Sequence, residues 1–473
     1  MATTTRDRST NQSAAAQEAL REQVRKAGKP ADTGQPATED TEDTEVGNYF
    51  VANYPPFSFW QREQVPAVEQ LLEQPSPRHT PLGLYYHIPF CRKRCHFCYF
   101  RVYTDKNAAE IRRYLDATIR ELEWYASRPY IEGRSLDYIY FGGGTPSYLS
   151  PSQLHDISSR MKQLLPWDEA REIAFECEPG TLNEKKLEAI RAMGVTRLSL
   201  GVENFDDHIL ELNGRAHRSG EIERAYRHAR AIGFPQINID LIAGMMDETE
   251  DNWRNSVDQA IALDPDMVTI YQMEVPYNTT IYKEMQETGR VTAPVANWAT
   301  KRRWVSEAFD RFERAGYTVT SAYTVVKNPD QVKFVYRDAL WEGADLLPIG
   351  VASFGHLGGM HLQNHHDIIP YVEHMEAGGP HSLYRAYGTV PDERFVREFI
   401  LKLKLGNVSL SYYQDKFGID PRQRFADQLE KLQQQGHATI DGDRLIMSRD
   451  GLLQVDRLLH DFFLPHHRHA RYT

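Results

Sequence analysis

Hydrophobic and polar positions divide the chain into regimes. Over residues 1–47 large apolar side chains are almost absent, and acids gather late in the stretch (Glu39, Asp40, Glu42, Asp43, Glu45). Such a segment buries too little surface to offset the entropy of ordering, so a disordered N-terminal tail is expected, with transient helix at most over 14–25. Aromatic residues then crowd together: Tyr49, Phe50, Tyr54, Phe57, Phe59 and Trp60, around Pro55 and Pro56. The prolines favour extended backbone. Residues 48–80 therefore read as an aromatic arm that either packs on a core or covers a site.

From residue 83 the pattern becomes rhythmic. Short apolar runs of strand character at 83–88, 136–141, 173–177, 197–202, 236–242 and 267–271 alternate with helical patterns at 108–127, 151–164, 183–193, 205–212, 219–232 and 250–263. A further helix is expected at 295–315. Strands alternating with helices imply parallel βαβ units with right-handed crossovers. Six of them predict an α/β fold, a partial (β/α)6 TIM-like barrel over 81–380, with functional groups at the C-terminal ends of its strands. A linker carrying Gly378, Gly379, Pro380 and His381 leads into 381–473. That part reads as a C-terminal helical/winged-helix-like module, with helices at 391–404, 409–416, 421–435 and 449–463 and an Asp-Gly hairpin between the last two. It has no basic recognition helix, so a structural role is expected. Pro465 to His469 reads as a frayed end that binds metal at most nonspecifically.

Composition narrows the class. Of 473 residues 41% are hydrophobic and 26% charged, an ordinary globular balance. The formal net charge of −11 removes a global nucleic-acid footprint. No apolar stretch is long enough for a transmembrane helix, and the N-terminus has no apolar signal region. A cytoplasmic protein without membrane or nucleic-acid partners is expected.

The chemistry concentrates where strands end. Of four cysteines, three follow the first strand in His87-Ile88-Pro89-Phe90-Cys91-Arg92-Lys93-Arg94-Cys95-His96-Phe97-Cys98. Thiolates spaced Cys-x3-Cys-x2-Cys are placed to share one metal centre. Structural zinc wants four closed ligands, whereas three thiolates on an iron–sulfur cubane leave one iron open. A zinc knuckle completed by His87 or His96, or three unrelated thiols, are the alternatives. Arg92, Lys93, Arg94 and Arg101 attract an acidic substrate, offset an anionic cluster, or form a solvated basic loop. Cys177 reads as a small buried residue, with a fourth cluster ligand the alternative. The second strand ends in Gly142-Gly143-Gly144-Thr145-Pro146-Ser147, where glycine lets backbone approach a ligand closely; without a following Gly-Lys-Ser/Thr this is not a P-loop. Glu176, Glu203 and Asp240 close the next three strands, and Arg215 follows shortly after the second of these. Glu176 and Asp240 suit ribose hydroxyls, and Arg215 suits a carboxylate.

On the cysteine motif with its His-Ile-Pro-Phe lead and on GGGTPS, the sequence resembles the radical S-adenosylmethionine (SAM) superfamily, and within it the oxygen-independent coproporphyrinogen III oxidase-like family, over roughly 49–470. The resemblance implies a [4Fe–4S] cluster held by Cys91, Cys95 and Cys98, with its open iron chelating SAM and yielding a 5′-deoxyadenosyl radical. It implies one SAM or two. By motif position Tyr85, Gly143 and Glu176 would contact the first. Phe97, Gly144, Thr145, Arg215 and Asp240 would contact the second, with Phe97 also shielding the cluster. Glu203 stands where the oxidases have glutamine, which leaves the second contact open. Phe354, in the loop 347–355, would lie near the first SAM. The implied function is an oxidoreductase of haem (porphyrin) biosynthesis that decarboxylates tetrapyrrole propionates oxidatively, with a reductant such as flavodoxin or ferredoxin. Methyl transfer using a second SAM and haem carriage by a chaperone are the other outcomes the family allows.

Overall fold

The computed structural model describes residues 49–77, 79–276, 279–283 and 295–468. The expected tail 1–47 lies outside them, as does His469. All six predicted strands form: β1 (Leu82–Ile88), β2 (Tyr138–Gly143), β3 (Glu172–Cys177), β4 (Arg197–Glu203), β5 (Gln236–Ala243) and β6 (Met267–Gln272). They pair in parallel and in sequence order, for example Tyr85 opposite Tyr140 and Ala174 opposite Arg197. The crossover helices begin where polar caps predict. Asn107 accepts from the backbone of Ala109 and Glu110 at the start of Ala108–Ala126, and Ser150 and Thr249 do the same for Pro151–Leu164 and Glu250–Leu263. The helix expected at 295–315 spans Trp298–Arg314.

The sheet is wider than the alternation suggested. β7 (Thr318–Val319) and β8 (Thr324–Val326) extend it antiparallel beyond β6. On the other side β9 (Asp345–Ile349) lies parallel to β1, followed by antiparallel β10 (Phe354–Leu357), β11 (Met360–Asn364) and β12 (Leu383–Gly388). The segment read as a closing loop at 347–355 is therefore partly strand, with Leu84 opposite Leu347. The sheet also runs past the expected boundary at 381, because Ala386 of β12 pairs with Leu362. Strands of four to six residues, one carrying Pro348 and two joined by a Gly-Gly turn, have too short a hydrophobic period to register as strands in sequence.

The C-terminal module opens with the helix Pro391–Leu403 and ends in shorter helices packed on a three-stranded sheet of order β13 (Asn407–Ser409), β15 (Arg444–Met447), β14 (Ala438–Asp441). The expected helix 421–435 is broken at Phe425, and 449–463 is three short turns. The aromatic arm belongs to both bodies. Val51 and Tyr54 enter the module's core. Trp60 stacks on His361 of β11 at 5.0 Å, and Gln61 exchanges two backbone hydrogen bonds with Ala386, both 2.9 Å. The arm thus covers the β12 edge, which would otherwise present unpaired backbone. The segment read as frayed is ordered through residue 467: Pro465–His467 is a 3-10 turn with His467 buried.

Candidate active site at the barrel mouth

The cysteine loop, Gly143 to Thr145, Glu176 and Glu203 sit at or just beyond the C-terminal ends of parallel strands, while Tyr85 and Asp240 lie within β1 and β5 and Arg215 follows the helix Asp207–Leu212. The cysteine loop leaves β1 and is pinned on three sides. Cys91 N–H donates to Tyr103 O (3.1 Å), Tyr103 N–H to Pro89 O (2.8 Å), and His96 N–H to Asn213 O (3.0 Å). Cys91 is buried, and Cys95 and Cys98 are half-buried. Burial pushes the Cys91 thiol up to about 11 and Cys98 to about 12, and the neighbouring Cys95 adds to the rise at both. Uncompensated thiolates are costly in such a place, and coordination to iron removes that cost. Two donors already face the sulfurs. Thr145 Oγ1 lies 3.3 Å from Cys91 Sγ, and Arg215 Nη1 lies 3.2 Å from Cys95 Sγ.

The glycine loop shows why those positions are glycine. Gly143 has φ +114°, and a Cβ there would sit 2.6 Å from the His87 ring. A Cβ on Gly144 would come within 2.8 Å of the Pro89 backbone, and Gly144 N–H donates to Ile88 O (2.8 Å). The loop therefore lies against the turn that carries Cys91, while buried His87 Nε2 has no hydrogen-bond partner.

Three carboxyls line the same end of the barrel. Glu176 accepts from the Tyr140 hydroxyl (2.7 Å) and from Gly143 N–H (3.2 Å), yet burial raises it to about 7. Asp240 accepts from Asn238 (2.9 Å) and Ser199 (3.1 Å) and is also raised, chiefly by burial. Glu203 is raised to about 7 by burial, opposed by Arg215. It sits at φ +65°, a left-handed conformation that an ordinary side chain holds only where its surroundings enforce it.

Arg215 reaches Glu203 Oε1 at 3.5 Å, donates to Gly201 O at 2.6 Å, and leaves Nε buried without a partner. Tyr85 contacts His87 Nδ1 through its hydroxyl (3.2 Å) and stacks on Tyr140. Phe97 packs against a methionine-rich cluster that includes Met245, Met246 and Met273. The structure brings all these residues to one mouth. Phe354 is placed differently: its ring packs on Phe57 (4.7 Å) and Trp60 (5.7 Å) of the arm. Cys177 is buried in the barrel core, as expected.

The sequence reading missed the triad beneath the loop. Arg92 makes a two-pronged bond to Glu178 (3.0 and 2.9 Å), and His217 Nδ1 lies 3.1 Å from the same carboxylate. Burial opposes ionisation of Glu178, but hydrogen bonds from His217 and Arg92 outweigh it and hold the carboxyl at about 2. Arg92 thus locks the cysteine loop to β3, and Arg101 pairs with Asp367 (2.8 Å), so neither is a loose surface cation. An arginine one residue after the first loop cysteine and an acid just past a strand end were the available signal.

Three thiols on one loop, a glycine cradle and unpartnered buried nitrogens fit an iron–sulfur cluster with a bound organic cofactor. Residues 85–260 match the model of the Radical SAM superfamily and 390–453 that of the HemN C-terminal domain. The chain belongs to the radical SAM superfamily, in its oxygen-independent coproporphyrinogen III oxidase-like family, whose cofactors are a [4Fe–4S] cluster and SAM. Among its relatives, an oxygen-independent coproporphyrinogen III oxidase of Pseudomonas aeruginosa is 26% identical over 83% of this chain and 88% of its own. Heme chaperone HemW of Bacillus subtilis is 29% identical over 74% and 91%. The solved coproporphyrinogen III oxidase HemN of Escherichia coli shares the fold, with TM-score 0.75 and 24% identity over 88% of this chain and 96% of that one. Among the described residues no helix is long and apolar enough to cross a membrane.

Proposed function

We propose that this chain is a radical SAM oxidoreductase acting on a tetrapyrrole, by oxidative decarboxylation of propionate side chains to vinyl groups. The observation that carries this reading is the aromatic lining of the barrel mouth. Tyr99, Phe100 and Tyr271 are 46%, 44% and 43% exposed, beside an otherwise buried site. Tyr99 and Phe100 directly follow Cys98 with their rings 4.5 Å apart, and Tyr271 stands at the C-terminal end of β6. Exposed rings around a deep polar site suit a broad, flat, mostly apolar substrate. The oxidase relatives and the packed aromatic arm support an enzyme over a haem carrier.

Cys91, Cys95 and Cys98 would hold the cluster, whose open iron and SAM supply a 5′-deoxyadenosyl radical. The chain's own part is positioning. Glu176, with Tyr140 and the Gly143 amide fixing its carboxyl, would hold the first SAM. Phe97 and the methionines around it exclude water from the cluster. Arg215 sets a buried positive charge beside Cys95 and offsets the anionic centre. Glu203 draws on the same guanidinium and so competes with any second carboxylate. One tightly held SAM is therefore our reading, with a second admitted only when Glu203 is neutral. The reaction removes one hydrogen atom from the propionate β-carbon, then CO2 and one further electron, which must pass to an acceptor. Reduced, cluster-loaded protein given SAM and coproporphyrinogen should yield vinyl product and CO2, read by mass spectrometry. Methylated product with S-adenosylhomocysteine would replace this reading by methyl transfer; bound haem with unchanged substrate would replace it by carriage.

A further inference from the structure

A second constellation of ligand atoms lies outside the barrel mouth, where three distant parts of the chain meet. Glu393 belongs to the first turn of the helix Pro391–Leu403, and His466 and His467 to the 3-10 turn Pro465–His467. One ligand atom from each lies within 4.8 Å of the other two. Glu393 and His467 are buried and His466 is exposed.

Each buried ligand is already oriented. Glu393 Oε1 accepts from the Tyr387 hydroxyl (2.6 Å), and Oε2 accepts from Val390 N–H (2.9 Å), so its carboxylate cannot swing away without uncapping the helix. His467 Nδ1 lies 2.7 Å from the Tyr54 hydroxyl, whose oxygen also accepts from Leu464 N–H (3.0 Å). The ring is wedged edge-on between Tyr54 and Phe59. Its other nitrogen, Nε2, is fully buried with no hydrogen-bond partner and lies 3.6 Å from Glu393 Oε1. That gap is too long for a hydrogen bond and wide enough for an ion bound to both.

We propose that Glu393, His466 and His467 bind a divalent first-row transition ion, with zinc the natural occupant. Two imidazoles and one carboxylate are borderline donors of the kind zinc takes in tetrahedral sites, and water completes the fourth position. Nδ1–H of His467 then donates to Tyr54, the outer bond that fixes tautomer and ring angle in histidine metal sites. Exposed His466 is the entry side. The ion would join the helix start, the C-terminal turn and, through Tyr54, the aromatic arm. It is a clamp on the scaffold, separate from the cluster.

The test uses tag-free, cluster-loaded full-length protein, so that the barrel thiols are already occupied by iron. After equilibration with zinc chloride and gel filtration, one zinc per chain should remain beyond the cluster iron. Zinc-edge X-ray absorption should show a nitrogen/oxygen shell without sulfur, and zinc should raise the melting temperature. Removal of a direct ligand should weaken zinc binding at least about tenfold, since even outer-shell changes cost that much. His466→Ala is the primary variant, because the exposed ring contributes little to folding; Glu393→Gln is the second. Zinc retained equally by wild type and His466→Ala, a sulfur shell around the zinc, or no zinc retained by the wild type would each overturn the site.

Discussion

The barrel mouth and the C-terminal module are both rich in buried polar and aromatic groups, but they use them in opposite ways. In the module, aromatic rings pack on one another: Phe399 lies 4.9 Å from Phe425, and 5.3 Å from both Tyr413 and Phe462. Its deepest charges are neutralised face to face, with Lys404 and Asp456 2.6 Å apart and Glu398 bound to Lys416 at 2.8 Å. At the mouth, three carboxyls are raised by burial, Glu203 sits at φ +65°, and Arg215 Nε and His87 Nε2 lack partners. A module whose deepest charges are paired and whose rings pack on one another is built for stability. A region that concentrates violations is built to be completed by something else.

Variants separate the two roles. The largest effect should come from Cys91→Ala, Cys95→Ala or Cys98→Ala. Each should lose the four-iron cluster after anaerobic reconstitution, read as iron and sulfide content, while global stability changes little. Cys177→Ala, in the barrel core, should keep the cluster. In the module Phe399→Ala should do the reverse: about 3–5 kcal/mol less stable to denaturant, with cluster content unchanged wherever the protein is folded. If Phe399→Ala abolished the cluster in folded protein, the division between the regions would fail.

Arg215→Ala should lower substrate conversion roughly 10- to 150-fold, the range of about 1.5–3 kcal/mol for a charge-assisted contact. Arg215→Lys should recover little, because an ammonium cannot span Cys95, Gly201 and Glu203 together. Glu203→Gln removes the competing carboxylate and should raise bound SAM from one equivalent toward two in equilibrium dialysis.

The last effect concerns pH. Glu121 is fully buried and accepts from Gly350 N–H (2.9 Å), Asn364 (2.8 Å) and Tyr371 (2.7 Å), yet burial raises it from 4.5 to about 7. The fold therefore favours its protonated form. Its contribution to stability is full below about pH 4.5 and is lost as pH rises through about 7. Denaturant unfolding should show a decline of about 3 kcal/mol across that window. Glu121→Gln should lack that slope, whatever its absolute stability.

Much of this was legible in the residues. The parallel strands carried continuous apolar runs, and their helices carried capping residues such as Asn107 and Thr249, so both elements and order could be read. The cysteine spacing and the glycine loop stood out because few other structures need them. What stayed hidden depends on tertiary pairing. β9 to β12 are short and find their place only through neighbours such as Leu84 and Leu362. The Arg92–Glu178–His217 triad joins residues far apart in sequence. Phe354 looked like part of a cofactor loop, but a ring on a strand packs with whatever covers that strand, here Phe57 and Trp60. His467 looked like an unstructured end because its burial comes from Tyr54, more than four hundred positions earlier.

The most direct measurement of the central claim is 5′-deoxyadenosine formation by reduced, cluster-loaded wild-type protein supplied with SAM. The account predicts 5′-deoxyadenosine and methionine in equal amounts, and none from Cys95→Ala. Wild-type protein carrying a full, reduced four-iron cluster that forms no 5′-deoxyadenosine above the protein-free control would contradict it.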